Sequence, residues 1–106
     1  MILIVVKWPV RPEFDERWPE LVREFTEAVR AEPGNVFFEW SRSVEDPTTY
    51  VLIEAFTDEG AEPHVNSEHF RTMQQEFPQY LAATPQIVSQ QVDVEDWGPM
   101  GEVTVD

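Results

Sequence analysis

The spacing of hydrophobic positions changes along the chain, and the changes divide it into elements. Residues 1–8, MILIVVKW, are almost continuously apolar, rich in β-branched side chains, and followed by Pro9. That run predicts a first strand covered on both faces. From Phe14 onward Trp18, Leu21, Val22, Phe25 and Val29 recur at spacings of three and four, while Glu13, Glu16, Arg17, Glu20, Glu24 and Glu27 take the other side. This is the period of an amphipathic helix. EPGN, Glu32 to Asn35, ends it, because Pro33 cannot continue a helix and Gly34 accepts a positive φ.

Two aromatic and β-branched runs follow, VFFEWSRSV (Val36 to Val44) and YVLIEAF (Tyr50 to Phe56), joined by EDPTT. They read as an antiparallel hairpin with an Asp-Pro turn. Thr57 and Asp58 are placed to cap a short helix, and Ser67 a second one containing Phe70, Met73, Phe77 and Leu81, which Pro78 should shorten. QIVSQQVDV, Gln86 to Val94, alternates as a last strand.

The order β-α-β-β-α-α-β predicts an α+β fold with a four-stranded mixed sheet and helices on one face, because a helical crossover favours a parallel strand pair and a hairpin an antiparallel one. Phe37, Phe38, Trp40, Tyr50 and Phe56 include both parities of their strands, so both sheet faces carry aromatic surface. Face-to-face pairing of two sheets in a homodimer would bury the uncovered face. We divide the chain into one domain, residues 1–94, and a polar C-terminal tail, residues 95–106, which holds Trp97 and Met100.

Charge narrows the partners. With 21 acidic and 7 basic side chains the formal net charge is -14, a field that repels phosphate backbones and anionic lipid, so neither nucleic acid nor a membrane surface is expected. Absence of cysteine excludes disulfides and thiolate chemistry. The apolar N-terminal run is too short to cross a bilayer and lacks a signal-peptide pattern, which leads us to expect a cytoplasmic protein. No P-loop or nucleophile-elbow pattern is present.

RAEPGNVFFEW and YVLIEAFTDEGAEPHVNSEHF together resemble the antibiotic biosynthesis monooxygenase family, especially its quinol monooxygenase-like members. The shared features are a helix end and Gly turn before the second strand, a Glu two residues before an aromatic, and a spaced pair of histidines. The resemblance covers Met1 to about Val94. It implies a dimeric α/β barrel of ferredoxin-like subunits and oxidation of a phenolic or quinol-type substrate by O2 without metal or flavin. Relatives on the same scaffold degrade haem, isomerise small carbonyl compounds or have no known activity. The haem-degrading ones use an Asn, a Trp and a His where this chain has Lys7, Phe56 and the histidine-free FRTMQQEF, so haem degradation is not expected.

In that reading His64 is the base that removes a phenolic proton, a task suited to an imidazole with its ordinary pKa of ~6.5. Glu54 orients it or holds a substrate hydroxyl. Phe56, Phe38, Trp40 and Phe70 form an apolar wall, with His69 at the pocket rim. The ordinary alternatives are a loop-bonding His64, a Glu54 paired with Arg42 across the hairpin, and strand aromatics that are core or interface. A metal site built from His64, His69, Glu62 and Glu68 is not expected, because ligands five residues apart diverge on a continuous helix. A non-catalytic barrel binding a small hydrophobic ligand, or an isomerase, are the competing functions.

Overall fold

β1 (Ile2–Pro9) occupies an inner position of the sheet, where its apolar sequence fits best. In the computed structural model, which describes residues 1–106, β1 pairs with β3 (Thr49–Phe56) on one side and β4 (Gln86–Gln91) on the other, and β3 pairs with β2 (Asn35–Arg42). The order is β2-β3-β1-β4, and every pairing is antiparallel. The expected mixed sheet is thereby corrected. The helical crossover carries β2 past β1 to the far side of β3, so strands that run the same way are never neighbours.

The long amphipathic stretch folds in three pieces: a 3-10 turn (Pro12–Arg17), α1 (Trp18–Leu21) and α2 (Arg23–Arg30). Pro12 and Pro19 each stand in the first turn of a new piece, where the missing N–H costs nothing. The apolar stripe survives the breaks, with Trp18, Val22, Phe25 and Val29 all buried. α3 (Ala61–Val65) and α4 (Glu68–Glu76) follow β3, and a second 3-10 turn (Phe77–Tyr80) carries Pro78. Ser67 caps α4 as expected, its Oγ accepting from Phe70 N–H at 3.2 Å. Thr57 and Asp58 do not cap α3; Gly60 precedes it, and Asp58 instead accepts from Gln91 Nε2 at 2.6 Å.

All helices pack on one face of the sheet. Val6 and Trp8 of β1, Phe38 of β2, and Tyr50, Leu52 and Phe56 of β3 point into that layer with Trp18, Phe25 and Phe77. Trp8, Trp18 and Trp40 form a cluster with centroids 5.7–5.8 Å apart. β1 is thus buried on the helix side only, and its other face stays partly accessible. The tail forms no strand or helix beyond Gln91; Trp97 stacks on Phe37 with centroids 5.1 Å apart. No helix is long and apolar enough to cross a membrane.

One contact fixes the geometry of the far end. Gly34, just before β2, crosses Gly60, just before α3, so closely that a Cβ on Gly34 would lie 2.5 Å from Gly60 Cα. Neither glycine has a positive φ, which corrects the reading of Gly34: close approach, not left-handed backbone, is what requires it. The amide of Thr57 donates to Gly34 O at 2.8 Å and closes the crossing.

Candidate functional site

The Gly34–Gly60 crossing brings the turn after α2 against α3, and with it Glu32 against His64. Glu32, which the sequence marks only as part of a turn, is where both histidines converge. His64 Nδ1 lies 2.9 Å and His69 Nε2 2.5 Å from Glu32 Oε2. A carboxylate only accepts, so each of these ring nitrogens carries the proton and donates it. That leaves His64 Nε2 as an acceptor, and it faces Glu54 Oε1 at 3.7 Å. Four side chains therefore form a row, His69–Glu32–His64–Glu54, that spans β3, two short helices and a turn.

The divergence expected of the two histidines does not occur. They sit on different helices, separated by Asn66 and the Ser67 cap, and α4 starts in a new direction. Glu62 and Glu68 form no ion pair with either ring, whose acidic partners are Glu32 and Glu54. Arg42 does not reach Glu54: it donates to Asp15 Oδ2 and the Tyr50 hydroxyl, each at 2.6 Å.

The row runs from surface to interior. His69 has a side chain 27% exposed, whereas His64 is 4% and Glu54 6% exposed overall. The His64 ring is held between Phe56 and Phe70, with centroids at 4.4 and 5.1 Å. Burial, and secondarily the neighbouring charge of Glu32, push the Glu54 carboxyl up to about 7. Its Oε1, and Oε1 of Glu32, are buried without a hydrogen-bond partner. The only basic groups within ion-pairing distance of either carboxylate are the two imidazoles.

An open groove of about 580 Å³ lies between α2 and α4, lined by the apolar Leu21, Phe25, Ala28, Met73 and Phe77 and by the polar Glu20, Arg23, Glu24, Glu68, His69, Thr72 and Glu76. That volume suits a one- or two-ring ligand. Of the residues proposed from sequence, His69 lines this groove, while Phe70 and Phe56 touch His64 from the protein side. Phe38 and Phe56 are fully buried in the core, and the Trp40 indole N–H donates to Thr26 Oγ1 at 2.9 Å. The sheet aromatics thus lie behind the row and not along the groove, where Phe25 and Phe77 stand instead.

Residues 1–76 match the family described as "Antibiotic biosynthesis monooxygenase". Among solved structures, a provisionally named antibiotic biosynthesis monooxygenase of Nitrosomonas europaea shares 29% identity over 87% of this chain and 98% of its own, with a TM-score of 0.77. A conserved protein of Methanosarcina mazei has 20% identity over 87% of this chain and 92% of its own, with a TM-score of 0.79. A provisionally named antibiotic biosynthesis monooxygenase of Deinococcus radiodurans has 15% identity over 95% and 100%, with a TM-score of 0.81. The last two likenesses are of fold alone. No curated protein matches the chain.

Proposed function

From the premise that this chain belongs to the antibiotic biosynthesis monooxygenase family, we propose that it is a cofactor-independent monooxygenase of phenolic or quinol-type aromatics. The observation that carries the reading is the side-chain row leading from the groove to a buried carboxyl. A substrate ring in the groove stacks against Phe25 and Phe77 and places its hydroxyl at His69. His69 takes the phenolic proton, and His64 and Glu54 behind Glu32 accommodate the shift of protons along the row. His64, first considered as the direct base, acts one step removed because it is buried.

The anion then passes one electron to O2, and the radical pair recombines with a new C–O bond. The stored proton returns to the peroxide; loss of the C–H proton from the newly oxygenated carbon then breaks the O–O bond, the departing hydroxide takes up that proton as water, and a quinone carbonyl remains. One oxygen atom enters the product and the other leaves as water. The aromatic side chains of Phe25 and Phe77 in the groove favour this course by giving O2 an apolar surface beside the substrate ring.

Purified protein incubated with EDTA and menadiol or an anthrone should consume O2 faster than the spontaneous rate. His69→Ala and His64→Gln should each lower kcat by ~10²-fold or more, the range of general acid–base catalysis. Uptake that persists in both variants removes the row from the mechanism. One observation favours a non-catalytic hydrophobic-ligand module instead: Phe38 and Phe56 are consumed by the core. That reading predicts ligand binding with no O2 uptake, and an isomerase would show turnover without O2.

A further inference from the structure

We propose that Glu32, His64 and His69 form a binding site for a late first-row divalent cation, with Glu54 as the carboxylate that orients His64. The inference goes beyond the monooxygenase reading and does not depend on it. One ligand atom from each of the three residues lies within 4.8 Å of the others. In a tetrahedral site with arms of ~2.0–2.1 Å, ligand atoms stand roughly 3.3 Å apart. The separations of 2.9 and 2.5 Å from Glu32 Oε2 to the two imidazole nitrogens are shorter than that by several tenths of an ångström. Small side-chain movements open that triangle to admit an ion.

Three further features point the same way. Glu32 Oε1 and Glu54 Oε1 are buried and lack partners, a costly state that a cation relieves at Glu32 directly and at Glu54 by fixing the proton on His64 Nε2. Two carboxyls share the interior with no lysine or arginine in reach, since Arg42 is committed to Asp15 and Arg30 donates to Phe38 O. Glu54 stands on the ring nitrogen of His64 that would point away from the metal. A carboxylate on the outer nitrogen of a ligating histidine fixes its tautomer and strengthens it as a ligand.

The donor set selects the ion. Two imidazoles and a carboxylate suit zinc, cobalt or iron(II), whereas magnesium and calcium prefer oxygen alone. Groove access at His69 leaves a path for the ion and a position for water. A bound cation occupies the nitrogens that hold the row's protons, so metal loading and proton relay exclude one another at this site.

The test needs no substrate. The EDTA-stripped full chain is titrated with Zn2+ and with Co2+, and metal is counted after desalting. We expect one ion per chain, ligand-field bands in the visible spectrum with Co2+, and no competition from Mg2+. His69→Ala, at a partly exposed position, and Glu32→Gln should each weaken binding at least tenfold. Glu54→Gln should weaken it by ~10–100-fold, as loss of such an orienting carboxylate does, and Glu13→Gln on the exposed surface should leave it unchanged. Histidine 15N spectra should show Zn2+ moving Nδ1 of His64 and Nε2 of His69. Metal that fails to be retained, or binding that survives both His69→Ala and Glu32→Gln in proteins with native circular dichroism, overturns the proposal.

Discussion

Glu54 is the residue whose environment departs furthest from its ordinary one. Its carboxyl, raised from 4.5 to about 7 by burial and by Glu32, keeps a proton in the folded state that the unfolded chain has released. Between those two pH values the folded state binds more protons, so stability falls as pH rises through the window and is level above it. The loss is on the order of 3 kcal/mol at about 1.4 kcal/mol per pKa unit. His64 and Glu32 face the same group, and His69 lies behind them. Comparing wild type with Glu54→Gln in EDTA isolates the Glu54 contribution: the difference in urea unfolding free energy should shift in favour of the variant from pH 4.5 to pH 7. A constant difference rejects it. Glu54 and His64 are candidates in the sequence through the family resemblance, and the structure brings them within 3.7 Å of each other; the burial of Glu54 is not legible, since its strand position allows a solvent-facing side chain equally well. Glu32 is not legible either. EPGN reads as a helix stop, and nothing local connects position 32 to position 64. Ser67 as a cap implies that His64 and His69 sit on separate helices, but their convergence on one carboxylate was not legible, since nothing local places Glu32 between them.

At the scale of elements, the row depends on a contact between two loops. Gly34 and Gly60 press backbone on backbone, and a Cβ on Gly60 would meet Gly34 Cα at 2.7 Å and Gly34 O at 2.8 Å. Flexible side chains cannot absorb that overlap. Gly34→Ala and Gly60→Ala should each cost about 1–3 kcal/mol, the range for overpacking, as measured by urea denaturation. Both should also loosen the histidine row, visible as altered ring shifts of His64 in NMR, and neutral variants would show that the crossing positions nothing. Strand and helix identities followed from spacing, from β-branched and aromatic content and from turn and cap residues, and the antiparallel hairpin from its Asp-Pro turn. The expectations that failed concern relations between elements. One continuous helix became three pieces: Pro19 accounts for the break before α1 and Val22 marks the one before α2, and the period of the stripe gives no warning of either. The antiparallel sheet was hidden because strand order is decided by which faces pack, not by local pattern.

The whole molecule leaves one sheet face without helices. Val5, Ile53 and Val88 lie in register across three strands, beside Leu3 and Phe37, and Trp97 covers only the Phe37 edge. A sheet with one covered face must bury or expose such a row, and of the acidic side chains behind the chain's net charge of -14 only Glu39 falls in that register row, at its β2 end. Two copies packing these faces together would bury apolar surface from both and allow the tail around Trp97 to close the seam. A specific interface needs ~1,000 Å² or more of buried surface, which a face of four strands can supply. Light scattering on the purified chain should therefore report a particle of two 12.4 kDa subunits. Ile53→Asp, at the centre of the face, should give monomers, because a carboxylate buried against apolar side chains without a partner is strongly disfavoured. The groove at His69 lies on the opposite, helical side, so the monomer should keep its histidine row intact. A wild-type chain that is monomeric at tens of micromolar, or an Ile53→Asp variant that still dimerises, would show that this face is not the contact.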